Sequence, residues 1–153
     1  MNKLIAITSA LAAAVTLTLG IAANAQAANP AMELHAAANH GRYLFEHGTF
    51  GGTRHMGGAP VTCDTCHVGG GLVKGRLPNG MTVLPSLVNA AAIFPRYNPK
   101  AGHVVTLEMQ IQHCIKAGLG GHPPAPDSKA MVDMVAYLHS IAKGQPMNSG
   151  GKP

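Results

Sequence analysis

The stretch VTCDTCHVGGG, residues 61–71, sets two cysteines two residues apart with a histidine directly behind them. Cys63-x-x-Cys66-His67 is the spacing of covalent haem attachment. The two thiols hold one haem c as thioethers, and the tethered His67 ring takes the fifth position on its iron. A zinc cage needs two further ligands at matching spacing, and the chain has only one more cysteine, Cys114. A redox dithiol needs a βαβ setting, and the glycine-rich run after His67 offers none. The motif therefore frames the rest of the reading: what surrounds the haem, and what sits on the far side of the iron.

Upstream, Met1-Asn2-Lys3 gives a short positive start, and Leu4 to Ile21 is apolar and uncharged. Ala25-Gln26-Ala27 is a small-x-small cleavage site, with Ala23-Asn24-Ala25 as a second option. Residues 1–27 are expected to be a cleaved secretory signal peptide. An uncleaved anchor is the alternative, because the apolar run approaches the length of a bilayer span. No later segment is long and apolar enough to span. The expected location is the periplasm, with residues 28–146 forming one cytochrome domain and residues 147–153 a loose tail.

The composition agrees with a cofactor-centred fold. Charged residues are 11%, glycine and proline number 19 and 11, and tryptophan is absent. So few aromatics leave a modest protein core, which a buried porphyrin would complete. An odd cysteine count with two in the motif leaves no pair for a structural disulfide, so the haem takes the stapling role that disulfides play in small exported domains. The net charge of +5 is spread rather than clustered, and no basic patch or aromatic motif points to nucleic acid.

Around the motif the pattern is helical. Asn29-Pro30 reads as N-cap and first helical residue, with Leu34, Ala37, Ala38, Gly41, Leu44 and Phe45 at helical spacing and Gly48 as the stop. After His67 the chain is mostly loop by its glycine and proline content, with a helical turn near Ser86 to Ile93. Thr106 caps a helix running to about Gly118. Asp127 or Ser128 caps a last helix with Met131, Met134, Val135, Leu138 and Ile141 on its apolar face, and Gly144 ends it. The expected class is all-α, with long Gly/Pro-rich loops around one haem. The order of elements resembles the class I cytochrome c fold, in which first and last helices cross where a glycine meets an aromatic. Gly41 and Tyr137 stand at those places.

For the sixth ligand, a rotation of about 100° per residue puts Leu107, Ile111, Cys114 and Ile115 on one face of the Thr106 helix and Met109 and His113 on the other. Cys114 then points inward, either as a ligand or as the small buried hydrophobe that free cysteine commonly is. Met131, just after the proline-rich loop, is the rival ligand, and its other reading is plain core. The remaining histidines, His35, His40, His47, His55, His103, His113, His122 and His139, read as solvent-facing or hydrogen-bonded. His103 and His122 are the reserves if Cys114 fails.

The blocks AAAIFPRYNPKAGHVVTLEMQIQHC (residues 90–114) and PDSKAMVDMVAYL (residues 126–138) resemble the catalytic haem domain of thiosulfate dehydrogenases and the related Sox sulfur-oxidation cytochromes. The resemblance runs from about Gly41 to Pro146. It implies that Cys114 is the second axial ligand. This chain departs from the family where arginines flank the Phe-Pro-x-Tyr and ligand-helix blocks. Ile93, Asn98, Gln110 and Ala117 stand there instead, leaving Arg96, Lys100 and Lys116 as the nearby cations. An arginine fork suits small dianions, so the haem environment carries over better than the substrate does.

Three functions follow. The first is an exported monohaem cytochrome passing electrons to a protein partner, another cytochrome or electron acceptor, in inorganic sulfur oxidation. The second is a catalytic subunit oxidising thiosulfate or a related sulfur anion. The third is a haem sensor with a displaceable sixth ligand.

Overall fold

The computed structural model describes residues 29–77, 80 and 82–152. The expected signal peptide, residues 1–27, lies outside the described residues. Helix α1 (Pro30–His47) opens as its sequence dictates: the Asn29 side chain accepts from the Ala31 N–H, Pro30 fills the first turn, and the Gly48 N–H closes on the Leu44 carbonyl. Helix α5 (Lys129–Ile141) begins at Ser128, whose hydroxyl accepts from the Met131 N–H. Its end falls at Ile141, before Gly144.

The two helices cross at Gly41. A Cβ built there would lie 1.9 Å from the Asp133 carbonyl oxygen and 2.9 Å from Tyr137 Cβ. Only a residue without a side chain lets the backbones approach so closely. The crossing carries Phe45, Met134, Tyr137 and Leu138 into one core with Ile93, Phe94, Val105, Leu107, Ile111, Ile115 and Met131. Asp133, also buried, faces α1 at this crossing, where it meets His40 and the Lys129 ammonium.

Between these helices lie α2 (Cys63–Cys66), α3 (Ala90–Ile93) and α4 (Leu107–Cys114). The expectation of an all-α chain with long loops needs correcting in part. The domain is helix-rich, but the Gly/Pro-rich connections contain three two-stranded antiparallel ribbons among the described residues. They are β1 (His55–Met56) with β2 (Ala59–Pro60), β3 (Gly75–Arg76) with β4 (Val83–Leu84), and β5 (Arg96–Asn98) with β6 (His103–Val105). Strands of two or three residues are too short to show alternation, and glycine-rich turns allow their tight reversals. The expected turn at Ser86–Ile93 is helical only over its second half, α3. Residues 148–150 lie against it, with Asn148 N–H donating to Ala92 O and Gly150 N–H to Ile93 O.

Helix α4 does not simply stop near Gly118. Directly after Cys114 it widens into a π-helical turn, Ile115–Leu119, closed by Gly120 in the left-handed conformation. Such turns are rare and recur at functional sites. Gln112 Nε2 donates to the Pro124 carbonyl at 3.0 Å and ties the proline-rich connection back to α4. Among the described residues no helix is long and apolar enough to cross a membrane.

Candidate haem site

Helix α2 is one turn long, so Cys63 and Cys66 at i and i+3 lie on one side of it. Thr62 precedes it in extended backbone, and its N–H donates to Thr65 Oγ1 at 3.0 Å. His67 leaves the helix with non-helical backbone while its N–H still bonds the Cys63 carbonyl. The following loop is pinned from both sides. Gly70 N–H donates to Asp64 Oδ1 at 2.6 Å, and the Tyr137 hydroxyl donates to the Gly70 carbonyl at 2.7 Å. Gly75 then passes so close that a Cβ would sit 1.7 Å from the Cys66 carbonyl oxygen. The motif is thus fixed by α5 and by its own loop before any cofactor is considered.

The His67 ring is half-buried and lies beside Phe45, with ring centroids 6.5 Å apart. Of the nine histidines it is the only one that is not exposed. Burial lowers its pKa, and the backbone carbonyl of Pro85 partly opposes this. Its Nδ1 is buried without a completed hydrogen bond. Burial thus favours the neutral imidazole, which is the form that ligates metal.

Cys63 is buried, and Cys66 and Cys114 are half-buried; all three are free thiols. Burial, then the neighbouring Cys114 and Cys66, pushes Cys63 up to about 12. Burial likewise raises Cys66. Cys114 is raised first by burial and also by Cys66, while a hydrogen bond from Gln110 pulls the other way. The π-helical turn that begins directly after Cys114 packs against α2, so Cys114 reaches the neighbourhood of the motif from a separate helix. Around α4 the burial follows the helical wheel: Leu107, Ile111 and Ile115 are buried, whereas Met109 and His113 face solvent. Met131 is completely buried in the core cluster that also contains Cys63. His103 and His122 are both exposed.

These residues fit a haem. Three partly or wholly buried thiols and an imidazole make up the donor set, with Gln110 the hydrogen-bond partner of Cys114, and burial disfavours the charged form of each. A cationic metal inverts that balance, because a coordinating thiol is deprotonated outright. A second orphan points the same way. Arg96 Nε is buried with no hydrogen bond, although its guanidinium stacks over Phe94 at 5.1 Å. A buried guanidinium nitrogen calls for an anionic partner, and haem carries carboxylates.

A family model described as the SoxA/TsdA cytochrome c domain matches residues 53–147. The chain belongs to this family. Membership implies haem c as cofactor and makes the helix-rich architecture a cytochrome c domain. Among curated proteins, the chain is similar to thiosulfate dehydrogenase of Allochromatium vinosum, 29% identical over 157 aligned positions that cover 92% of this chain and 55% of that protein. It is also similar to thiosulfate dehydrogenase of Thiomonas intermedia, 30% identical over 91 positions, 60% of this chain and 26% of that one. Among solved structures it resembles thiosulfate dehydrogenase (TsdBA) from Marichromatium purpuratum, with a TM-score of 0.56 and 22% identity over 78% of this chain and 26% of that chain. That likeness shows the fold. The chain spans about half the length of the first curated relative, or less of the other.

The sequence does not reveal the surroundings of two residues near this candidate site. Gln110 reads as a lost arginine, yet its spacing of four from Cys114 is the signal that the two side chains meet. Arg96 reads only as one of the nearby cations, yet its Nε is buried.

Proposed function

We propose that this protein is an exported c-type cytochrome with a single haem, working as a periplasmic electron carrier in inorganic sulfur oxidation. Cys63 and Cys66 hold the haem as thioethers, His67 is the fifth ligand and Cys114 the sixth, with Met131 as the alternative. The observation that carries the reading is that the turn beginning directly after the half-buried Cys114 packs against the motif helix α2. The relatives, named as thiosulfate dehydrogenases, supply the sulfur context.

Bound there, haem c supplies one-electron storage, and a thiolate ligand favours the ferric state relative to methionine. The protein's own part is to hold and shield. Tyr137 and Asp64 fix the motif loop, Phe45 lies beside the His67 ring, and Arg96 offers a buried donor for a carboxylate. Joining two thiosulfates releases two electrons, and one haem stores one. A carrier role therefore suits a single-haem chain, with a protein partner, another cytochrome or electron acceptor, taking each electron in turn.

A second reading, catalysis on thiosulfate or a related sulfur anion, is favoured by one feature. A groove of about 360 Å³ beside α4 is lined by Asn98, Lys100, His103, Gln110 and His113 and has no acidic lining residue. Mixing oxidised holoprotein with thiosulfate separates the two. A carrier shows no thiosulfate-dependent haem reduction and exchanges electrons rapidly with a cytochrome partner. Reduction by thiosulfate that disappears in Cys114→Ala makes the protein an enzyme. Rapid binding of carbon monoxide to the reduced form would favour a sensor instead.

A further inference from the structure

Gln110 stands one turn before Cys114 on α4, where i and i+4 side chains lie along the same face. Its Nε2 donates to Cys114 Sγ at 3.4 Å. The side chain is half-buried and also lines the groove that holds Lys100, His103 and His113. One amide therefore spans from the sulfur to the solvent-facing edge of the site.

We propose that Gln110 is a positioning residue for the Cys114 sulfur, with its amide N–H aiming the thiolate and withdrawing part of the electron density it gives the iron. The inference rests on the reading of Cys114 as a ligand. A thiolate that accepts a hydrogen bond has some of its charge stabilised by the donor, and partners of a metal ligand tune both its orientation and its basicity. A weaker anionic donor favours ferric iron less, so the bond raises the reduction potential. An arginine at this position would add a full positive charge beside the sulfur. The neutral amide instead tunes the ligand and leaves its charge uncancelled.

The test uses full-length haem-loaded protein with Gln110→Leu and Gln110→Glu, beside Cys114→Ala. The readouts are the one-electron midpoint potential and the ferric near-infrared charge-transfer band. Gln110→Leu removes the donor. Its expected effect is a roughly tenfold tilt of the ferric-to-ferrous ratio toward ferric at fixed ambient potential, about 59 mV for a one-electron couple. The thiolate signature persists and its charge-transfer band moves. Gln110→Glu is isosteric, so it serves where Gln110→Leu loads poorly. An ionised carboxylate cannot donate, and its charge pushes the potential down further. Unchanged potential and band in both variants, with only the unfolding midpoint lowered, would overturn the inference while Cys114 stands as ligand. An unchanged ferric spectrum in Cys114→Ala would overturn the ligand reading itself, and this inference with it.

Discussion

The His67 side of the site is assembled from neighbours in sequence, while the Cys114 side depends on a second helix being delivered to the same place. Residues 62–75 close on themselves through Thr62, Asp64, Gly70 and Gly75, and bonds from the Tyr137 hydroxyl to the Gly70 carbonyl and from the Leu87 N–H to the Gly71 carbonyl anchor them. Cys114 ends a regular helix at the point where it widens into a π turn, and its polar partner is one glutamine. The first arrangement is tied down at several points by its own loop. The second is where chemistry can be adjusted by single residues. On the proposed reading, the difference teaches that function is tuned on the Cys114 side, whereas the His67 side supplies attachment.

Breaking the local half is expected to have the largest effect. Replacing Cys63 and Cys66 together by alanine removes all covalently bound haem, read by haem staining after denaturing electrophoresis and by intact mass. The helix crossing that anchors the loop comes next. Gly41→Ala drives a methyl into the Asp133 carbonyl, and overpacking of this kind costs typically 1–3 kcal/mol, here at the upper end because the obstacle is backbone. Denaturant unfolding of the holoprotein measures it. Tyr137→Phe leaves the Gly70 carbonyl without its donor and costs about 1–3 kcal/mol, seen in the same experiment.

A smaller, pH-dependent effect sits at the same crossing. Burial pushes the Asp133 carboxyl up, but hydrogen bonds from Lys129 and His40 outweigh it and leave the pKa below the ordinary value. A depressed folded pKa gives stability that is fully present above the unfolded value, about 3.9, and lost as pH falls through the folded one. Wild-type stability is therefore expected to drop below about pH 4, and Asp133→Asn to flatten that part of the profile. At the distal side, His113→Ala should change stability by no more than about 0.5 kcal/mol and leave the ferric spectrum intact, because His113 faces solvent.

The local half was also the legible half. Cys63, Cys66 and His67 declare themselves by spacing, and the caps at Asn29, Thr106 and Ser128 declare the helix starts. Leu107, Ile111 and Ile115 are readable as one buried face because a helix repeats regularly. The ribbons were not legible, since two-residue strands carry no period. The π turn was hidden because its sequence, IKAGL, has no feature that separates it from a fraying α-helix end. Asp133 was missed because an acidic residue on a helix normally faces water. Here Gly41 removes the bulk that would have kept the helices apart, and the carboxyl is trapped between Lys129 and His40. Gln110 shows the same limit: its identity was visible, but its partner depends on which way the side chain turns.

The central claim is the sulfur on the far side of the iron. Low-temperature electron paramagnetic resonance and near-infrared magnetic circular dichroism of the ferric holoprotein, recorded beside Cys114→Ala, test it most directly. The account predicts a low-spin thiolate signature in the wild type that vanishes in the variant. A methionine-type signature that survives the substitution would contradict it and make Met131 the ligand.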